Sequence, residues 1–134
     1  MRRTAVGALV LAGLLVMSAC GAGGQKGGED AYHKITAEEA KAMMDEGGVT
    51  IVDVRTAEEY GQGHVPGAVL LPNEDIGDAD PEALPDKDAV LLVYCRSGRR
   101  SKAASDKLVA LGYENVYDFG GIIDWPYDTV AGED

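Results

Sequence analysis

Between residues 32 and 134, short apolar runs alternate with stretches in which apolar residues recur at helical spacing. Val49 to Val54 (VTIVDV) and Ala89 to Tyr94 (AVLLVY) are β-branched or fully apolar and read as buried strands. Ala68 to Leu71, closed by Pro72, and Asn115 to Phe119 (NVYDF) read as two more. Thr36-Ala37-Glu38-Glu39 and Thr56-Ala57-Glu58-Glu59 each carry a threonine followed three residues later by glutamate, the pattern of a helix capping box. The first predicts a helix with Ala40, Met43 and Met44 inward, stopped by Gly47-Gly48. The second predicts a short helix ended by Gly61 and Gly63. A third helix is predicted to begin near Ser101, with Ala104, Leu108 and Leu111 on one face and Gly112 as its stop. Acidic, proline-containing Asn73 to Asp88 reads as loop, with one helical turn near Pro81 to Leu84. Strands alternating with helices predict an α/β domain with a parallel sheet and helices on both faces. In such folds chemistry gathers at the carboxyl ends of the strands, where Cys95 falls.

The first thirty residues follow a different pattern. Ala5 to Met17 is apolar throughout, behind the basic start Arg2-Arg3. That run is shorter than the roughly 20 residues that span a bilayer as a helix, and fits the apolar region of a secretory signal. Val16-Met17-Ser18-Ala19-Cys20 resembles a bacterial lipobox, with Met17 where leucine is usual. The expectation is a signal peptide over 1–19, lipidation of Cys20, and a glycine-rich tether over 20–31. A lipid-anchored, extracytoplasmic protein follows. Gly21 lacks the aspartate associated with inner-membrane retention, which leaves the outer membrane open where there are two.

At 134 residues the chain has room for one ordinary domain. Its net charge of −11 argues against a nucleic-acid partner, which wants a basic face. Against that acidity, Arg96, Arg99, Arg100 and Lys102 stand out as a local basic cluster suited to a small anion. There are two cysteines, Cys20 and Cys95, and each has a separate explanation that fits better than a disulfide between them.

Cys95 opens the segment Cys95-Arg96-Ser97-Gly98-Arg99-Arg100 between a strand and a helix. A glycine-turned loop there can point successive N–H groups inward, and the following helix adds its positive end. A thiol in that place is expected to ionise readily and to be stabilised as a persulfide anion, while the arginines attract an anionic donor. Three arginines and a glycine within five residues are poor company for a mere packing cysteine.

With Cys95 placed, three motifs resemble the rhodanese-like domain family. They are Asp53-Val54-Arg55-Thr56-Ala57-Glu58-Glu59-Tyr60 with Gly63-His64-Val65-Pro66-Gly67-Ala68, then Tyr94 to Ser101, then Val116 to Trp125. The resemblance implies a three-layer α/β/α sandwich with a five-stranded parallel sheet. It implies a sulfurtransferase in which Cys95 takes a sulfane sulfur from thiosulfate or polysulfide and passes it to a thiol, cyanide-like or thioredoxin-like acceptor. No metal or organic cofactor is implied. Arg96, Ser97, Gly98, Arg99 and Arg100 would cradle the donor, and Asp53 and Arg55 would support the loop, more as a structural salt bridge than as groups facing the site. His64 is expected to be a hydrogen-bonded turn residue, Trp125 a packing residue and His33 solvated. A phosphatase of the same fold uses Cys-x5-Arg, and Cys95 to Arg100 is one residue too short. A non-enzymatic sulfur or redox binding module is the other alternative; such modules often lack the cysteine.

Overall fold

The computed structural model describes residues 29–132. The expected signal peptide over 1–19, lipidation at Cys20 and the expected tether as far as residue 28 fall outside the described residues. Five parallel strands form one sheet in the order β1-β5-β4-β2-β3, with β1 Tyr32–Lys34, β2 Val49–Asp53, β3 Val69–Leu70, β4 Val90–Cys95 and β5 Asn115–Gly121. The most hydrophobic strand, β4, is central, as burial on both faces requires. Its side chains alternate. Leu91, Val93 and Cys95 face one core with Ala104 and Leu108 of helix α3 (Arg99–Ala110). Leu92 and Tyr94 face the other, with Ala40 of α1 (Ala37–Glu46) and Tyr60 of α2 (Ala57–Gln62).

Both capping boxes form. Thr36 Oγ1 accepts from Glu39 N at 3.0 Å and Thr56 Oγ1 from Glu59 N at 3.2 Å, with each glutamate returning to the cap N–H. Helix α1 ends at Gly47, whose φ of 85° carries the chain out of the helix.

Several expectations need correction. Gly61 lies inside α2, and the helix closes at Gly63. Helix α3 begins two residues before Ser101, because left-handed Gly98 turns the chain into it without a side-chain cap. A 3-10 turn over Glu29–Ala31 leads into the sheet and Ala31 is 4% exposed, so residues assigned to the tether belong to the packed unit. Strand β1 was not legible from apolar pattern, since Tyr-His-Lys owes its strand state to pairing with β5. Within it His33 is half-buried and stacked on Tyr117 at 4.6 Å, rather than solvated. The stretch from Asn73 to Asp88 holds a 3-10 turn at Asn73–Asp75, and the expected turn closes with Leu84 N donating to Pro81 O at 3.1 Å. Tyr113 Oη donates to the Leu84 carbonyl and Lys107 Nζ to that of Asn73 at 2.9 Å, which fastens this irregular stretch to α3 and its exit.

Candidate active site

Cys95 is the last residue of β4, and its side chain turns toward α3. The thiol is free and 1% exposed, and Gly98 N donates to its sulfur at 2.9 Å. That contact requires the tight curl Gly98 supplies at φ 105°, a conformation strained for residues with a Cβ. The first turn of α3 lacks any side-chain cap, unlike α1 and α2, so its N–H groups and positive end remain directed at the loop.

The loop rests on the end of β5. A Cβ on Gly121 would overlap the Arg96 carbonyl oxygen and crowd Ser97 Cα at 2.6 Å, so only glycine lets the two backbones approach. Ile123 N donates back to Arg96 O at 3.2 Å. Buried Asp118 gathers the other supports: its Oδ1 accepts from Ser101 Oγ at 2.7 Å and Gly120 N at 2.9 Å, and its Oδ2 from Tyr32 Oη at 2.8 Å. Burial, then the bond to Asp118, pushes the Tyr32 phenol well above its ordinary value.

The loop arginines divide. Arg96 and Arg99 are exposed and have no ion-pair partner among the described residues. Arg100 is committed: its two terminal nitrogens meet Glu59 Oε1 and Oε2 at 2.8 and 3.0 Å. The Arg100 fork, assisted by the α2 capping bonds, holds the Glu59 carboxyl down at about 2. In return Glu59 first, and Cys95 and Glu74 more weakly, raise the Arg100 guanidinium. The expectation that Arg100 stands ready for a donor is therefore qualified by a carboxylate already in its grip.

Asp53 and Arg55 do not face Cys95. They form a buried ion pair at 2.6 Å, 0% and 5% exposed, on the Tyr94 face of the sheet. Tyr94 Oη donates to Asp53 at 2.7 Å and accepts from Val65 N at 3.0 Å, while Arg55 donates to the Gly63 carbonyl at 2.7 Å. The ion pair is the structural salt bridge the sequence favoured, but what it pins is the α2–β3 turn against β4 and not the Cys95 loop. Burial, then Asp53, drives the Tyr94 phenol far up, so it stays a protonated donor. His64 is buried in the same turn, stacked on Tyr60 at 3.6 Å with Nδ1 2.8 Å from the Tyr60 carbonyl oxygen. Trp125 is largely buried and its Nε1 donates to Asp128 O at 3.0 Å. Among the described residues no three His, Cys, Asp or Glu side chains converge as metal ligands.

Sequence reasoning missed Glu59 and Asp118 as parts of the site. Glu59 was visible as a helix cap and as a member of the first family-like motif, and nothing local ties it to a residue 41 positions away. Asp118 sits in a strand, where a charged residue facing inward is the signal that was available.

Among the described residues, one free cysteine under a glycine-turned loop, at the carboxyl pole of an all-parallel sheet, defines an α/β domain of the cysteine-loop kind. Comparison with known proteins gives that class its family: the rhodanese-like domain model matches residues 36–126, and this chain belongs to that family. It is 38% identical over 81 residues to the thiosulfate sulfurtransferase PspE of Escherichia coli K12, covering 60% of this chain and 78% of that one. Over 102 residues it is 37% identical to the thiosulfate sulfurtransferase GlpE of Pseudomonas entomophila, covering 76% and 91%. The solved structure of an E. coli rhodanese with anions matches with a TM-score of 0.57 at 37% identity, covering 62% of this chain and 98% of that one.

Proposed function

We propose that this protein is a sulfurtransferase that carries sulfane sulfur on Cys95. The observation that carries the reading is the Cys95 sulfur, held by the Gly98 N–H at 2.9 Å beneath a loop whose Arg96 and Arg99 are exposed and unpaired. The Cys95 thiolate attacks the outer sulfur of thiosulfate; a new S–S bond forms, the old one breaks, and sulfite leaves with the bonding pair. The persulfide anion on Cys95 is favoured by the Gly98 N–H and the start of α3. Attack by a thiolate or cyanide on the outer sulfur then returns the Cys95 thiolate. Thiosulfate and polysulfide are both small anions of the kind the arginines hold by charge-assisted hydrogen bonds. Family membership and the two thiosulfate sulfurtransferase relatives support the same assignment.

The reading extends to location. The short apolar run and Val16-Met17-Ser18-Ala19-Cys20 support export and lipidation at Cys20, which would hold the domain at an extracytoplasmic membrane surface.

Intact mass of the purified protein after thiosulfate or polysulfide tests the chemistry. We expect a gain of one sulfur atom, removed by cyanide or a thiol and absent from Cys95→Ser. A folded protein that gains no sulfur from either donor would sink the assignment and favour a binding role for the loop.

A further inference from the structure

The geometry points to Glu59 as a positioning residue for sulfur transfer: it fixes Arg100 beside the Cys95 loop, and Arg96 and Arg99 are left to capture the donor. This rests on the sulfurtransferase reading and adds a division of labour within its basic cluster.

Four observations support it. Glu59 meets the Arg100 guanidinium as a two-pronged fork, at 2.8 and 3.0 Å. Such a fork sets the plane of the guanidinium as well as its distance. Glu59 is itself fixed from behind, since Oε1 also accepts from Thr56 N and Thr56 Oγ1, both at 3.1 Å. Helix α2, which carries it, is anchored by Tyr60, whose hydroxyl donates to Ala68 O at 2.9 Å. Finally, Arg96 and Arg99 have no comparable partner among the described residues, so of the three loop arginines one is held by a carboxylate and two are exposed and unpaired.

The chemistry gives this division a use. A guanidinium has five N–H donors, and Glu59 occupies two. The remainder stay free on a group that does not reorganise when negative charge builds on the sulfur attached to Cys95. Preorganised donors of this kind act on the transition state, whereas mobile surface cations mainly gather the anion. The electrostatic coupling of Arg100 to Cys95 agrees with that placement.

The test is steady-state and single-turnover sulfur transfer from thiosulfate in the full-length protein, with persulfide formation followed by mass. Glu59→Gln keeps a carbonyl oxygen for the α2 cap and removes the charge. We expect its kcat to fall about tenfold with KM for thiosulfate within about twofold, the pattern of a displaced group that acts in the transition state. Arg100→Lys keeps the charge but loses the fork, leaves the cap untouched, and should fall equally. Glu59→Gln placed on Arg100→Lys should add nothing further. Because the Glu59 carboxyl is held down at about 2, the ratio of wild type to Glu59→Gln should be flat from about pH 5 to about pH 9. Losses that multiply in the double variant, or a Glu59→Gln protein with lower Tm but unchanged kcat, would overturn the proposal. Failure of the wild type to form a persulfide would instead overturn the sulfurtransferase reading beneath it.

Discussion

Two glycines hold the Cys95 loop for different reasons, and the difference is measurable. Gly98 sits at φ 105°, and a Cβ there would make only ordinary contact, the nearest atom being Gly120 Cα at 3.7 Å. Gly98→Ala therefore meets backbone strain and little crowding, a loss of about 1–2 kcal/mol. Gly121 has an ordinary φ of −126°, but a side chain there collides with Arg96 and Ser97. Gly121→Ala pushes the loop off β5, and is expected to destabilise by more, about 3 kcal/mol, as overpacking does at its upper range. Urea unfolding of both variants checks the order. Gly121→Ala should also lose sulfur transfer even where it is folded, because the Gly98 N–H is carried away with the loop. At this scale the sequence was partly transparent: a cysteine followed by arginines and a glycine announced the loop. That Gly121 is required was hidden, because the constraint comes from a chain segment 25 residues upstream.

Helices α1 and α2 begin with the same four-residue device, and only one of them reaches the site. Thr36 and Glu39 satisfy each other at the start of α1. Thr56 and Glu59 do the same for α2, and Glu59 then continues to Arg100. Loss of either cap should cost about 1 kcal/mol. Thr36→Ala and Thr56→Ala are thus expected to lower thermal stability alike, while Thr56→Ala alone slows sulfur transfer by loosening the carboxylate behind Arg100. Equal transfer rates in the two variants would contradict this. The caps, β2, β4 and the far end of α3 were readable because each has a local cause: a side-chain bond, an apolar run, or Gly112 at φ 106°. The start of α3 and the whole of β1 were not, since one has no capping side chain and the other is three polar or aromatic residues held by a neighbour. Asp53 and Arg55 show the intermediate case. Their pairing was foreseeable from proximity in sequence, but the face of the sheet they occupy depends on register with Tyr94.

Taken whole, the molecule carries a net −11 and concentrates its exposed, unpaired loop arginines where the strands end. Metabolic labelling with palmitate is expected to mark the protein through Cys20 and to leave Cys20→Ser unmarked; labelling of both would disprove the anchor at that residue. The direction of the strands then has a consequence for how such a protein would stand. All five run the same way, so the domain has a leading and a trailing pole. Tyr32, where the chain joins the sheet, is level with Val116, and Cys95 is level with Gly121. Five residues of strand separate those levels, about 16 Å. The proposed leash, fastened upstream of Tyr32, would therefore pull on the trailing pole, and the cysteine would ride at the bow. With the proposed anchor in place, the domain would work facing outward, meeting donors and acceptors that arrive from the surrounding fluid rather than from a bilayer.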